Sequence, residues 1–108
     1  MDQPSPDTRI PELLAVRAEQ RNLAWMKRSL QVAVEVELAT LPPYLCGSWS
    51  CKQGSAGIAP LVLRTVIRQE MVHLGLAANL LTTLGGTPAI NAAAPTYGET
   101  RAVKRGWA

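Results

Sequence analysis

The sequence has no phenylalanine, one histidine and two cysteines, and aromatic residues make up only 5% of it. A sheet stabilised by aromatic cross-strand pairs is therefore not expected. Leucine, valine and alanine are common instead, and that mixture favours helices packed on helices. A hydrophobic fraction of 47% in 108 residues predicts one small folded domain and excludes a largely disordered chain.

Long uncharged apolar runs are also missing. Glu35, Glu37, Arg68 and Glu70 interrupt the apolar stretches before about 18 uncharged residues accumulate, so no membrane span is expected. The first seven residues carry neither the basic nor the apolar region of a secretory signal, and we expect a cytoplasmic protein. Its cysteines are then expected to be thiols.

The charge pattern indicates no nucleic-acid partner. The net charge of +3 arises mainly from basic residues in segments 17–28 and 101–105. Such clusters are typical of a solvated helix face and a terminal tail. A nucleic-acid site would add interleaved aromatic residues or a recognisable module, and neither is present.

The first long apolar pattern predicts a helix over residues 11–41, with Asn22 as its only interruption. Pro11 suits a first helical position, because its missing N–H would be unsatisfied there anyway. Pro42 and Pro43 then remove two helical donors, so a kink is expected, followed by a fresh turn over residues 44–49.

The second apolar pattern predicts a helix over residues 60–84. Gly85 and Gly86 favour the left-handed cap that ends a helix, and Pro88 prevents its continuation. The fold class is therefore all-α: an antiparallel helical hairpin that would form half of a four-helix bundle.

This pattern divides the chain into three parts. Residues 1–10 are expected to be a flexible lead-in, residues 11–88 the helical hairpin, and residues 89–108 an irregular tail.

The element around which the chain is organised is Glu70-Met71-Val72-His73. Positions i and i+3 share one face of a helix, so the Glu70 carboxylate and the His73 imidazole point the same way. In dinuclear helical bundles two helices each supply such a Glu-x-x-His pair, and the other two each supply one glutamate.

A candidate for that further glutamate lies on the first helix. Glu37 lies on the apolar stripe of the first helix. Burying a carboxylate there costs several kcal/mol of folding free energy unless a partner such as a metal compensates its charge. Glu35 shares its side with Arg28 and Gln31, a pattern typical of a solvated face. Glu37 is thus the preferred metal ligand, beside Glu70 and His73, and Glu35 is its alternate.

Three other interpretations of the same residues stay open. His73 could be a core histidine that bonds Glu70 or Glu37. Cys46, Cys51 and His73 could form a zinc site, although the Cys-x4-Cys spacing is loose and a fourth ligand is missing. A cysteine nucleophile with His73 as its base would require the Pro-Pro turn to reach the middle of the second helix.

Residues 33–46, AVEVELATLPPYLC, resemble the segment that opens the ferritin-like domain of the iminophenyl-pyruvate dimer synthase family. Residues 70–81, EMVHLGLAANLL, with Gly-Gly-Thr-Pro at 85–88, are similar to that family's second helix. The resemblance covers roughly residues 29–97.

This resemblance implies a ferritin-like fold and kinship with enzymes of secondary metabolism. Those enzymes oxidatively couple two imines of aromatic 2-oxo acids on the way to bisindole pigments such as violacein. Carried over by position, Glu37 (or Glu35), Glu70 and His73 would hold the metal. The implied cofactor is iron of the di-iron type, with manganese or zinc as alternatives, and the sequence leaves haem undecided.

The family continues into a second helical pair with a second glutamate and a second Glu-x-x-His, whereas this sequence holds one set. We therefore expect either a homodimer that completes the bundle or a chain lacking its C-terminal half. The alternative functions are a non-enzymatic helical or oligomerisation module and an iron-binding half-ferritin with ferroxidase activity.

Overall fold

Three α-helices and one short 3-10 turn make up the ordered elements of the computed structural model, which describes residues 6–52, 54, 57–92 and 94. No strand occurs among those residues. We label the helices α1 (Pro6–Ala15), α2 (Leu23–Trp49) and α3 (Ile58–Thr83), and the 3-10 turn Ala18–Gln20 lies between α1 and α2. The all-α prediction is confirmed.

α2 begins where the sequence predicts an interruption. Asn22 is the N-cap, and its side-chain oxygen accepts a hydrogen bond of 2.9 Å from the Trp25 backbone N–H. That bond satisfies one of the donors left free at a helix start, which is why asparagine favours this position.

The end of α3 follows the predicted glycine signal. Gly85 has a φ of +84°, a left-handed conformation that costs glycine little. The N–H of Gly85 donates to the Thr82 carbonyl and that of Gly86 to the Leu81 carbonyl, both at 2.9 Å. This pair of bonds is a Schellman motif and ends the helix.

Several helix boundaries differ from the sequence prediction. The helix predicted over residues 11–41 is broken over residues 16–22 and not at Asn22 alone, and the second helix covers Ile58–Thr83 instead of residues 60–84. α1 begins at Pro6 and contains Pro11, so Pro11 does not open the helix. α2 runs through Pro42 and Pro43 to Trp49, so the turn expected over 44–49 is part of the same helix. The kink itself stays a prediction, as does the division into lead-in, hairpin and tail. Residues 1–5 and 95–108 lie outside the described part of the chain.

α2 and α3 pack antiparallel. Gly47, near the end of α2, faces Leu63 near the start of α3. The Thr40 hydroxyl reaches Glu70, and the Gln31 side chain bonds the backbone of Ala89 beyond α3. Residues earlier in α2 thus contact residues later in or beyond α3, which is the antiparallel hairpin that the sequence predicts.

α1 lies against another side of α2. The Trp25 indole donates to the Leu13 carbonyl at 2.9 Å, and Arg9 is ion-paired with Glu35. The hydrophobic core is small. Its buried apolar side chains, within the described ranges, are Val32, Val34, Ile67 and Leu81.

Many large apolar side chains remain exposed on α2 and α3. Contiguous exposed apolar surface on a helix commonly marks an interaction site. No helix in the described part of the chain is long and apolar enough to cross a bilayer.

Candidate metal centre

Glu37, Glu70 and His73 form one cluster between α2 and α3. Glu37 lies near the middle of α2, while Glu70 and His73 lie one turn apart on α3, Glu70 partly buried and His73 exposed. Each offers a ligand atom, and these atoms are all within 4.8 Å of one another. Among the residues that the structure describes, it is the only group of three or more potential ligands.

The spacing of the ligand atoms suits a single ion. The Nδ1 atom of His73 is 3.7 Å from Glu37 Oε1 and 3.8 Å from Glu70 Oε1. Both distances exceed those of a hydrogen bond. Ligands bonded at about 2.1 Å lie about 3.4 Å apart in a tetrahedral site and about 4.2 Å apart on opposite sides of an ion. The observed distances fall between these limits.

One oxygen of Glu37 has no partner. Its Oε2 atom is buried and accepts no hydrogen bond from the described residues. A buried acceptor left unpaired costs about 1–3 kcal/mol. A cation bound between Glu37 and Glu70 would satisfy this oxygen, so the side chains present fit a metal ion.

The two carboxyl groups perturb each other. Burial raises the pKa of Glu37, and its hydrogen bond to the nearby Glu70 carboxylate raises that pKa further. The same hydrogen bond lowers the pKa of Glu70, and a second bond from Thr40 contributes. The two carboxyl groups therefore lose their protons in sequence, Glu70 before Glu37 as pH rises.

Thr40 is a site residue that the sequence reasoning missed. Its hydroxyl lies 2.9 Å from Glu70 Oε2 and 2.8 Å from the Glu37 carbonyl oxygen. It therefore donates across the interface and orients Glu70 toward Glu37. The available signal was its position three residues after Glu37, because that spacing puts both on one side of α2.

Glu35 is not part of the cluster. It is only 7% exposed, so the prediction of a solvated face was wrong. It is ion-paired with Arg9 of α1, and its Oε1 accepts a bond of 3.1 Å from Gln31 Nε2. A carboxylate with a full set of partners needs no metal to compensate its charge. The structure thus brings Glu37, and not Glu35, together with Glu70 and His73.

His73 is exposed to solvent. Its side chain is 52% exposed, and its distances to Glu37 and Glu70 exceed hydrogen-bond length. The interpretation of His73 as a hydrogen-bonded core histidine is therefore wrong. The exposed edge of the imidazole makes the cluster accessible from the outer surface of α3.

The two cysteines lie away from this cluster. Cys46 and Cys51 are free thiols, as predicted, near the C-terminal end of α2. Cys51 Sγ donates to the Gly47 carbonyl at 3.5 Å. Neither belongs to the ligand group of His73, so the zinc and nucleophile interpretations have no support in this geometry.

Comparison with known proteins agrees with this arrangement. The model of the Ferritin-like family matches residues 30–105, a range that contains all three members of the cluster. No curated relative and no solved structure matched the chain. The match covers well over half of the sequence, and the chain belongs to the Ferritin-like family.

Proposed function

We propose that this protein binds a redox-active metal ion through Glu37, Glu70 and His73, and that this ion is iron. The observation that carries the proposal is the convergence of two carboxylates and an imidazole from facing helices, with one buried carboxylate oxygen left unpaired. Membership of the Ferritin-like family adds support, because helical bundles of this kind build metal sites from glutamates and Glu-x-x-His pairs.

The donor chemistry favours iron or manganese. Carboxylate oxygens and imidazole nitrogens suit both metals, and zinc is a weaker alternative. In the proposed site Glu37, Glu70 and His73 would hold the metal. Bound iron would supply electron transfer to or from a substrate.

Thr40 orients the Glu70 carboxylate. The raised pKa of Glu37 means that protons and a cation would compete for this carboxylate. The half-exposed His73 defines the side from which an ion or a substrate reaches the cluster.

The finer proposal is an oxidative coupling of the iminophenyl-pyruvate dimer synthase type. Its support is the resemblance of residues 33–46 and 70–81 to that family, because these two segments contain Glu37, Glu70 and His73. Joining two imines of aromatic 2-oxo acids through a new bond releases two electrons and two protons. An oxidant such as dioxygen or peroxide would have to accept them.

A second candidate is iron oxidation without an organic substrate. The observation that favours it is the exposure of His73, because an open site admits hydrated ions directly. The two candidates use the same ligands and differ in what is oxidised. Ferroxidase turnover by the iron-loaded protein alone would favour the second, whereas turnover that depends on an aromatic imine would favour the first.

Metal titration of the purified chain tests the shared part of both candidates. We expect wild-type protein to bind ferrous iron under anaerobic conditions, and Glu70→Gln and His73→Ala to weaken binding at least about 100-fold. Glu12→Gln, an exposed carboxylate on α1, is the matched control and should bind as wild type does.

Elemental analysis of the protein as isolated complements the titration. Undiminished binding by Glu70→Gln and His73→Ala would refute the ligand assignment. A chain that takes up no iron, manganese or zinc would instead be a non-enzymatic helical module.

A further inference from the structure

α3 carries two apolar seams, and only one of them faces α2. The inner seam advances in alternating steps of four and three residues, the spacing of positions that pack against one neighbouring helix. All its members are buried or partly buried. They are Leu63, Ile67, Glu70, Leu74, Ala77, Leu81 and Leu84.

The outer seam runs beside it with the same spacing. All its members except Val66 are exposed, and none is an aspartate, glutamate, lysine or arginine. The members are Val62, Val66, Gln69, His73, Leu76 and Leu80. The outer seam therefore has the residue spacing of a packed helix face, although no described residue covers it. It includes His73, the proposed metal ligand.

The metal cluster has half of a dinuclear donor set. A ferritin-like dinuclear site takes one glutamate from each of two helices and a Glu-x-x-His pair from each of two more. Here α2 supplies Glu37 and α3 supplies Glu70 with His73, which is one half of that set. A two-fold copy of the hairpin would supply the other half without any new residue type.

We propose that a second copy of this chain occupies the outer seam, with its α3 antiparallel to the first, and completes a dinuclear metal site. The proposal rests on the metal function proposed above and names the partner of that site. The exposed apolar surface and the half donor set are independent observations that point to the same face.

The order of residues along the outer seam fits this pairing. About a two-fold axis level with Met71, Val62 falls opposite the partner's Leu80 and Val66 opposite the partner's Leu76. Gln69 falls opposite the partner's His73. Each apolar position thus meets an apolar position, so the seam is its own complement, as an isologous interface requires.

The same register brings the two clusters together. His73 lies two residues from the axis, so the two copies of this side chain are about 6 Å apart along the helices at 1.5 Å per residue. This axial offset would bring the two sets of ligands close to the same level of the interface. On α2, Leu23, Met26 and Tyr44 are exposed on the stripe of Glu37 and would extend the contact.

The charges of α3 lie elsewhere. Arg64 and Arg68 are exposed on the side of the helix away from the outer seam, at angular positions about 120–160° from its centre by a helical rotation of 100° per residue. Dimerisation along the outer seam therefore leaves both guanidinium groups in water.

The solution mass of the full chain tests the proposal through one pair of matched variants. Leu76 on the outer seam is 62% exposed, and Leu61, about 100° around α3 from the centre of that seam, is 63% exposed. Sedimentation over a concentration series should give a dimer for wild type and for Leu61→Lys. Leu76→Lys should raise the dimer dissociation constant at least about 100-fold, because it would bury a lysine in the seam.

A wild-type monomer at all concentrations, with and without ferrous iron, would overturn the proposal, and another segment or protein would then cover the seam. Equal weakening by Leu61→Lys and Leu76→Lys would overturn it as well. Far-UV circular dichroism checks that each variant is folded.

Disulfide cross-linking decides the register even if a lysine variant unfolds. In a Cys46→Ser, Cys51→Ser background, the double variant Val66→Cys with Leu76→Cys should form covalent dimers under mild oxidation. Either cysteine alone should not, since its copy in the partner lies about 15 Å away along the helix, beyond disulfide reach. Cross-linking by the single variants, or none by the double variant, would contradict the antiparallel pairing.

These tests separate the dimer from the metal function. A dimer that binds no metal would support the interface and refute the proposed function. A metal-loaded monomer would refute the interface and leave the function standing.

Discussion

Glu35 and Glu37 lie two residues apart on α2, and their surroundings differ in almost every respect. Glu35 is buried, ion-paired with Arg9 and bonded by Gln31, so its charge is fully compensated. Glu37 is less buried, faces another carboxylate and has one oxygen without a partner among the described residues. The comparison separates a carboxylate that holds the fold together from one that is poised to bind a cation.

The two sides of α2 also differ in what they connect. Gln31 bonds Glu35 and both backbone groups of Ala89, with distances of 3.0 Å to the Ala89 carbonyl oxygen and nitrogen. The Glu35 side thus ties α1 and the segment after α3 to α2. On the Glu37 side, the Thr40 hydroxyl donates to Glu70, which also shares a hydrogen bond with Glu37.

The largest effect is expected on the Glu35 side. Arg9→Met leaves the Glu35 carboxylate buried without its cation, and breaking a buried pair in this way costs about 3–5 kcal/mol. Urea unfolding should show this loss in the free energy of unfolding. The double variant Arg9→Met with Glu35→Leu should recover much of it, because both charges are then absent; no recovery would mean that the pair is not the cause.

The opposite change is expected at Glu37. Glu37→Gln removes a proposed ligand and should weaken iron binding at least about 100-fold in titration. The same change should stabilise the metal-free protein near neutral pH by up to about 1 kcal/mol, since a neutral amide can donate to Glu70 without the cost of a buried carboxylate. A loss of stability at pH 7 would contradict this role.

The pH dependence follows from the raised pKa of Glu37. An acid whose pKa is higher in the folded state than in the unfolded state destabilises the fold above its folded pKa, and the cost disappears as pH falls toward its unfolded pKa. The stability advantage of Glu37→Gln over wild type should therefore shrink as pH falls through that window. Urea midpoints measured across the acidic range would check it, and a widening gap would contradict it.

A smaller effect is expected for Thr40→Val, which keeps the shape of the side chain and removes the donor to Glu70. Loss of a group that orients a metal ligand commonly costs about 10–100-fold in affinity, and we expect the lower end. Thr40→Ser keeps the hydroxyl and should retain near wild-type binding. Equal affinity of all three proteins would show that Thr40 does not position Glu70.

The smallest effect is expected at an exposed ion pair. Arg17 and Glu19 lie 3.6 Å apart, and both side chains are more than 70% exposed. Pairs of this kind contribute about 0–1 kcal/mol because water screens them. Glu19→Gln should change neither the urea midpoint nor the iron affinity measurably. A clear loss of stability would show that an exposed carboxylate matters as much as buried Glu35, and burial would then not explain the difference between Glu35 and Glu37.

Local signals predicted the helices and their ends where one residue decides the backbone. Asn22 caps α2 with its side chain, and Gly85, which has no Cβ, ends α3 in the left-handed conformation. The start of α1 was not predictable in this way, because Pro6 and Pro11 suit a first helical position equally well. α1 begins five residues before the predicted start at Pro11, and this added segment contains Arg9, which pairs with Glu35 of α2.

The sequence alone also determined that Glu70 and His73 share one face, since their spacing of three residues requires it in any helix. Which carboxylate of α2 joins them was decided only by the tertiary structure. Glu35 and Glu37 point about 200° apart around the helix axis. α1 docks on one side of α2 and supplies Arg9 to Glu35, and α3 docks on the other side and places Glu70 beside Glu37. The neighbours that stabilise or leave unpaired a buried carboxylate are distant in sequence, so local sequence patterns do not reveal them.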